Sequence, residues 1–334
     1  MKALHLYAIH GGRNSGDFFL GPSTKKKFES IVNSSVTWAN FDVRKIVTQK
    51  DIDYFNTFDA IIVGGGGLFL PDTNPNNISC WQWACSHKLM SQITSDIYVI
   101  GIGWNHFYGQ TILMPLADNH EDNRRKDIFK ENVECLVSKS KMFSMRHKGD
   151  CERLKSHIDE SLHSKIQFDL CPVVHYVKNK YKDFVSNGEY HTFELKDDRL
   201  HRRYNRKPVK KAYEELQEVI KLLLNKGEKV AIMSHDGSST FYNFIQHAGL
   251  NLPLIDNTVA NENKIIENYS KVKHLYCTAG HSQMMAYALD IPFTSLITHD
   301  KLKYFLEDLE EDRPKCFLNE DNIVEKLSIH GEEE

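Results

Sequence analysis

Several short groups of glycines and polar residues follow apolar runs in this sequence, and they contain the side chains best suited to chemistry. The first group, Asn14-Ser-Gly-Asp17, comes after the apolar run Ala3–Ile9. Its glycine permits a tight turn, and its polar side chains could simply cap the next helix. A carboxylate at a strand end can also accept a proton or a hydrogen bond from a hydroxyl group. Asn14 and Asp17 are therefore candidate site residues.

Four consecutive glycines, Gly64–Gly67, follow an apolar run that begins at Asp59. Their N–H groups can meet an anion, and the absence of side chains lets a ligand approach the main chain. The run is neither a Walker P-loop nor a Gly-x-Gly-x-x-Gly dinucleotide motif, because two apolar residues follow it directly. A tight turn is the alternative explanation, but a turn needs fewer glycines. We predict a ligand-binding role for Gly65, Gly66 and Gly67.

Two further strand ends in the first half carry candidate residues. Gly101-Ile-Gly-Trp-Asn105 would lie on the same sheet edge as the glycine run, so Trp104 and Asn105 are candidate substrate contacts. Arg146 ends the run Phe143–Arg146, and its planar fork suits a phosphate or carboxylate group. A solvated surface arginine is the alternative for Arg146.

Two histidines follow apolar runs in the second half of the chain. His235-Asp236 ends one run, and His281 follows another and opens a helix. The positive backbone dipoles at such a helix start attract anions. Since the chain holds 17 histidines, a structural role is the alternative for each one. Two histidines at neighbouring strand ends nevertheless favour a shared ligand site.

Short apolar runs alternate with amphipathic patterns along the chain, which is typical of βαβ units and parallel sheets. The predicted strands are Ala3–Ile9, Val36–Val43, Asp59–Val63, Asp96–Ile102, Met142–Met145, Ile166–Leu170, Tyr190–Leu195, Val230–Ser234, Pro253–Asp256, His274–Cys277 and Pro292–Thr298. The predicted helices are Thr24–Val32, Trp81–Ile93, Asp127–Ser138, Lys148–His157, Val209–Lys226, Thr240–His247, Lys264–Val272, His281–Leu289 and Leu302–Leu309.

This alternation predicts an α/β protein with two Rossmann-like lobes that face each other across a cleft. The lobes would span residues 1–175 and 176–334, with residues 176–207 as a basic interdomain segment. The N-terminal lobe would form the acceptor side of a site and the C-terminal lobe its donor side. Ligands of open parallel sheets bind beyond the carboxyl ends of the strands, so the strand-end residues carry the most weight.

Composition excludes several classes of function. The formal net charge of -3 argues against a nucleic-acid-binding protein, and no apolar run reaches the roughly 20 residues that span a bilayer. The seven cysteines form no C-x-x-C pair, which indicates a reducing compartment and no metal site. We expect a cytoplasmic protein. Basic runs such as Lys25–Lys27 and Arg124–Lys126 allow peripheral contact with the inner face of a membrane.

Taken in order, these groups resemble the motifs of the polysaccharide pyruvyl transferase family. The resemblance covers nearly the whole chain and rests on the combination of motifs, since each one alone is weakly specific. The matching groups are Asn14–Asp17, Asp59–Gly67, Tyr98–Gly103, Ser144–Arg146, His235-Asp236, and His281 followed by Ala286, Pro292 and Lys301 or Lys303. The resemblance implies a fold similar to GT-B glycosyltransferases.

The same resemblance implies a function. Family members transfer pyruvate from phosphoenolpyruvate onto a sugar as a ketal, within a cell-surface polysaccharide such as a capsule or exopolysaccharide, or on its lipid-linked precursor. It implies His281 as the general acid, Arg146 as a clamp for phosphoenolpyruvate, and Asp17 as a base or acceptor ligand. Phosphoenolpyruvate would be a co-substrate, and no other cofactor and no metal would be needed.

The chain departs from the family pattern in two places, and the lesser one is Asp169-Leu-Cys-Pro172, where the family tends to have a shorter Asp-Pro turn. The serious departure lies before the late histidine. Many members carry arginine two residues before the late histidine, where this chain has Ala279. We hypothesise that Arg199, Arg202 or Arg203 supplies the missing positive charge. Two alternatives stay open: a GT-B glycosyltransferase that uses a nucleotide-activated sugar, and a non-catalytic carbohydrate-binding relative.

Overall fold

The computed structural model describes residues 1–9, 15–71, 74, 76–105, 118–196, 209–235, 240–258, 261–318 and 321–329. These residues form two compact units. Unit 1 comprises the described residues within 1–9, 20–105 and 118–176, and unit 2 comprises those within 15–19 and 177–329.

Unit 1 is built on six parallel strands in the order β2-β1-β3-β4-β5-β6. Strands β3 and β4 are buried along nearly their whole length, which explains their continuous apolar sequences. The strands are β1 (Lys2–Tyr7), β2 (Thr37–Asp42), β3 (Ala60–Phe69), β4 (Asp96–Trp104), β5 (Ser140–Met145) and β6 (Ile166–Phe168). The helices are α1 (Ser15–Val32), α2 (Gln49–Phe55), α3 (His87–Met90), α4 (Asp118–Lys139), α5 (Lys148–Lys155) and α6 (Pro172–Lys180), with a 3₁₀ helix at Glu160–Lys165.

Unit 2 contains a second six-stranded parallel sheet in the order β12-β11-β10-β7-β8-β9. This is the doubly wound Rossmann order, and it reverses between the central strands β7 and β10. The strands are β7 (Tyr190–Glu194), β8 (Val230–Ser234), β9 (Leu254–Asp256), β10 (Val272–Cys277), β11 (Phe293–Ile297) and β12 (Lys315–Phe317). The helices are α7 (Val209–Asn225), α8 (Thr240–His247), α9 (Glu262–Ser270), α10 (Gly280–Ala288), α11 (Asp300–Leu309) and α12 (Ile323–Ile329).

The predicted fold class of two Rossmann-like α/β units is therefore confirmed. Most predicted elements are present, and β8 and α8 have the predicted bounds. The strand predicted at Tyr190–Leu195 is β7, which lies at the centre of the second sheet instead of in a crossing segment. Within the part of the chain described, no helix is both long and apolar enough to cross a bilayer.

The predicted helix Trp81–Ile93 is wrong, because only α3 within it is helical. The indoles of Trp81 and Trp83 are fully buried and anchor an irregular segment. Ser79 Oγ donates to the Trp83 carbonyl over 2.7 Å, and such a local bond competes with helix formation. Trp81 Nε1 donates to the distant Asn132 Oδ1 over 2.7 Å, which anchors the segment to α4.

The bounds of two strands also differ from the prediction in a way that affects the candidate site. The glycine run was expected to follow a strand ending at Val63, but β3 continues through it to Phe69. Likewise, β4 continues to Trp104. Sequence patterns also missed α2, α6, β12 and α12.

Candidate functional site

The packing of β3 explains three of the four consecutive glycines. A Cβ atom on Gly64 would overlap the Ile100 carbonyl of β4. Gly65 and Gly66 have φ values of 86° and 100°, and a Cβ on Gly66 would lie 3.3 Å from Leu20 Cδ1 of α1. All three are buried, so close packing and backbone conformation already require glycine there. Gly67 alone is partly exposed.

Arg146 lies across the glycines of two neighbouring strands. A Cβ on Gly103 would overlap the guanidinium group, and a Cβ on Gly67 would lie 3.3 Å from Nη2. The Arg146 main-chain N–H donates to the Ile102 carbonyl over 3.1 Å, which continues the β4–β5 ladder and fixes the base of the side chain. Glycine at these two positions therefore makes room for the arginine.

This part of unit 1 leaves polar atoms available to a ligand. Arg146 is 3% exposed, and its Nε has no hydrogen-bond partner among the described residues. The buried Oδ1 of Asn105 has none there either, and Asn105 Cβ lies 3.2 Å from the Cβ position of Gly67. A buried polar group without a partner is costly, so a donor and an acceptor together suit a polar ligand. The structure thus brings Gly67, Asn105 and Arg146 together.

Asp150, in the first turn of α5, is a buried acid that sequence reasoning missed. It is 1% exposed, and neither carboxylate oxygen accepts a hydrogen bond of normal geometry from a described residue. Burial raises its pKa, while the charges of His147 and Arg146 and the nearby Trp104 N–H oppose that rise. The only sequence signal was an acid at a helix start, which is common.

Trp104 belongs mainly to the core of unit 1. It is 3% exposed and packs against Phe129 and His157 with ring centroids 5.4 and 5.0 Å away. Its indole Nε1 is buried without a hydrogen-bond partner among the described residues. Its predicted substrate contact stays a prediction.

In unit 2, Glu194 joins the ends of β7 and β10 at the point where the strand order reverses. The Ala279 main-chain N–H donates to Glu194 Oε2 over 3.0 Å, and the Thr278 N–H donates to the Glu194 carbonyl over 3.1 Å. The side chain is 1% exposed. Ligands of doubly wound sheets bind at this reversal, so Glu194 lies at the base of the expected site.

His281 occupies the second position of α10, within the same unit. Its ring stacks near that of His235, with centroids 5.9 Å apart and planes inclined by 24°. A Cβ on Gly16 would overlap the His281 ring, so the first turn of α1 lies directly against the imidazole. The structure therefore brings together three sequence groups, those of Gly16, His235 and His281.

Lys301 approaches the same helix start from α11. A Cβ on Gly280 would lie 3.1 Å from Lys301 Cε, and Lys301 is 8% exposed. Lys303 instead forms an exposed ion pair with Glu307 over 3.4 Å. Of the two lysines suggested by the sequence, Lys301 is the one beside His281. Because α10 and α11 both begin at this sheet edge, their positive ends favour an anion there.

His299, just before α11, is a further histidine in this region and is buried, as His235 is. It is 1% exposed, and its Nδ1 lies 2.9 Å from Thr298 Oγ1. Nothing in the sequence distinguished it from the other histidines.

Several predicted site residues lie outside what the structure describes. They are Asn14, Asp236, Arg199, Arg202 and Arg203, together with the side chain of Asp17. Among the described residues, no group of three His, Cys, Asp or Glu side chains is arranged to hold a metal ion.

Comparison with a family model adds an independent finding. The model described as polysaccharide pyruvyl transferase matches residues 14–300 of the chain. The match begins at Asn14 and ends at Asp300, and it therefore includes Arg146, His235 and His281. Among curated proteins, no significant sequence match is found.

Solved structures show similarity of fold. Neisseria meningitidis UDP-GlcNAc 2-epimerase bound to UDP-GlcNAc aligns with a TM-score of 0.52 at 13% identity, covering 100% of this chain and 92% of that one. The co-structure of S. aureus MnaA with UDP aligns with a TM-score of 0.54 at 12% identity. The alignment covers 98% of this chain and 87% of that one. Methanocaldococcus jannaschii UDP-GlcNAc 2-epimerase in complex with UDP-GlcNAc and UDP aligns with a TM-score of 0.51 at 11% identity. The alignment covers 98% of this chain and 92% of that one. At these identities the likeness concerns the GT-B-like fold alone.

Proposed function

Because the chain belongs to the polysaccharide pyruvyl transferase family, we propose that it transfers pyruvate from phosphoenolpyruvate to a saccharide as a ketal. The observation that supports this most is the cluster at the start of α10. There His281 lies beside His235, the Lys301 stem and the first turn of α1. An acid, a cation and two helix N-termini suit a donor that carries both phosphate and carboxylate.

The reaction begins with protonation of the enol phosphate and passes through a tetrahedral C2 that carries both the sugar oxygen and the phosphate. His281 donates a proton to C3 of phosphoenolpyruvate, which becomes a methyl group and leaves C2 electrophilic. A sugar hydroxyl attacks C2 and loses its proton to a base, for which Asp17 is the candidate. A second hydroxyl of the sugar then attacks C2, the C2–O bond to phosphate breaks, and phosphate leaves with that hydroxyl's proton. The products are a ketal and inorganic phosphate, and no metal or nucleotide is consumed.

Lys301 is a described cation near the position that arginine occupies in many relatives. Its stem covers Gly280, next to Ala279. We assign Lys301 to the donor anion, and Arg199, Arg202 and Arg203 remain further candidates for this role. The test replaces each of these four residues with alanine and compares the KM for phosphoenolpyruvate with that of the wild type. An unchanged KM in Lys301→Ala would remove the assignment of Lys301, and unchanged values in all four variants would remove the hypothesis of a replacement cation among them.

The unit 1 cluster of Gly67, Asn105 and Arg146 is proposed to bind polar substrate groups. Its arginine suits an anionic group, as expected for the clamp, and the Asn105 amide suits a hydroxyl of the acceptor. Gly65 and Gly66 contribute to substrate binding indirectly in this proposal, because they shape the strand that carries Gly67.

A nucleotide-sugar glycosyltransferase is the main competing function. Thermal-shift titrations with phosphoenolpyruvate and with UDP-GlcNAc discriminate the two. We expect stabilisation by phosphoenolpyruvate, because a lysine and two helix N-termini at the α10 cluster suit a small ligand that carries phosphate and carboxylate. Stabilisation by UDP-GlcNAc alone would contradict the proposed donor. Saccharide binding without any release of phosphate would indicate the non-catalytic relative.

Cytoplasmic location and peripheral membrane contact, which would serve a lipid-linked acceptor, remain part of the proposal. One basic run contributes less to a membrane-binding surface than its sequence suggests. Arg125 is 7% exposed and donates to the carbonyls of Pro71 and Asn74 and to the side chain of Asn77. Sedimentation with anionic vesicles tests the remaining lysines and arginines.

A further inference from the structure

The surroundings of His281 disfavour its protonated form. The imidazole lies in the first turn of α10, where the positive end of the helix repels a cation. Lys301 approaches the neighbouring Gly280, and the His235 ring stacks 5.9 Å away. The helix end and the lysine favour a neutral His281, whereas a general acid must carry its proton.

One buried carboxylate lies where it can offset these effects. Glu194 Oε2 accepts the Ala279 N–H over 3.0 Å, and Ala279 precedes His281 by only two residues. The strand that carries Glu194 is central in the sheet, and the side chain is 1% exposed, so water screens its charge weakly.

The negative charge of Glu194 also affects the pKa of buried groups near it. Burial raises the pKa of the Cys277 thiol well above its ordinary value, and the negative charge of Glu194 raises it further. Burial also raises the pKa of Tyr269, where Glu194 again adds to the rise. The carboxylate therefore acts on more than one element of unit 2.

We propose that Glu194 is a positioning residue that places negative charge beneath the start of α10 and thereby keeps His281 protonated. This inference rests on the proposed role of His281 as the acid. Its carboxylate accepts a hydrogen bond from the main chain of Ala279 and acts on His281 through its electrostatic field.

Other ionisable groups of unit 2 must be distinguished from Glu194. His235 stacks on His281, and Lys301 approaches Gly280. Tyr269 and Cys277 interact with the charge of Glu194, and His299 and Asp300 lie at the start of α11. On α1, which packs against the imidazole, Asp17 follows Gly16 in the sequence. Asp300 is another acid among these groups, and it is 8% exposed. It lies in the first turn of α11 and serves as the matched control.

The test is an NMR titration of histidine-labelled protein without any substrate, with the His281 signal assigned from His281→Gln. In Glu194→Gln the side chain keeps an oxygen for the Ala279 N–H and loses only its charge. We expect the His281 midpoint to move to lower pH by about one unit in Glu194→Gln. In Asp300→Asn we expect a smaller shift. Equal midpoints in the wild type and Glu194→Gln would overturn the inference.

If the Glu194→Gln protein does not fold, the His281 midpoint of the wild type alone tests the inference. In the wild type, His281 should titrate no lower than an ordinary histidine, at about 6.5, despite its cationic surroundings. A clearly lower midpoint would itself overturn the inference. Since neither titration contains phosphoenolpyruvate, the result stands apart from the proposed function. If the protein turns over phosphoenolpyruvate but the His281 midpoint is the same in Glu194→Gln, the role of Glu194 is wrong and the proposed function stands.

Discussion

At the scale of single residues, the surroundings of each glycine and each histidine determine what that residue does in this protein. Gly16 and Gly103 provide the space in which His281 and Arg146 lie, because a Cβ at either position would overlap the functional side chain. Histidine ranges from the candidate acid at the start of α10 to His5, which is fully buried in β1. Residue type alone therefore does not reveal function, and the neighbours of each residue must be known.

Gly103→Ala should weaken substrate binding, because the added methyl group displaces the Arg146 guanidinium. Overpacking of this kind costs about 1–3 kcal/mol of stability, and the displaced guanidinium should in addition raise KM. Steady-state kinetics measures the effect. Gly21→Ala is the control, since its Cβ would meet Tyr7 at an ordinary 3.6 Å. Equal KM values in the two variants would contradict the assigned packing.

His5 should make the protein less stable in acid. Burial lowers its pKa from 6.5 to about 3, and its Nε2 lies 3.1 Å from the Gly64 carbonyl. Below pH 6.5 the unfolded chain gains a proton that the folded chain refuses, so stability present at neutral pH falls as the pH approaches 3. Between pH 7 and pH 5 the loss is about 2 kcal/mol.

Urea unfolding at pH 7 and pH 5 measures this loss. His5→Gln keeps a polar side chain that does not titrate, so its stability should fall less on acidification than that of the wild type. An equal fall in both proteins would show that His5 does not contribute.

At the scale of elements, periodic patterns were the most reliable signal. Helix α7 was predicted within one residue, because its apolar positions recur on one face and include the buried Leu216, Val219 and Ile220. The segment around Trp81 misled the prediction, since tertiary anchoring of the indoles overrides local pattern. The glycine run was read as a strand end, whereas main-chain packing against Ile100 requires glycine inside β3.

The candidate site could be predicted only in part. Arg146, His235 and His281 were identified because each follows a strand, and strand ends converge in parallel sheets. Glu194 and Asp150 could not be found in this way, because their significance depends on burial and on neighbours that are distant in sequence. Glu194 and Ala279, for example, are 85 residues apart.

Leu216→Ala should strongly destabilise unit 2. Leu216 is fully buried in α7, and truncating such a leucine costs about 2–5 kcal/mol. Leu222→Ala, on the same helix but 44% exposed, is the matched control and should cost much less. Thermal unfolding compares the two variants. Similar losses would contradict the orientation of α7.

At the scale of the whole molecule, two doubly wound units each present a polar cluster at the carboxyl edge of the sheet. In unit 1 the cluster is built around Arg146, and in unit 2 around His281. The family match spans both units, and the net charge of -3 does not favour a polyanionic partner.

The central claim is that His281 protonates the donor during ketal formation. It is tested most directly with 3-¹³C-phosphoenolpyruvate in D₂O, using a panel of glucosides, galactosides and N-acetylhexosaminides that each carry two suitably placed free hydroxyls. The account predicts a ketal methyl group that carries one deuterium, with phosphate released in equal amount. In His281→Gln the rate should fall by about 10²–10⁴-fold while the protein remains folded. Undiminished ketal formation by His281→Gln, or no use of phosphoenolpyruvate by the wild type with any acceptor, would contradict the account.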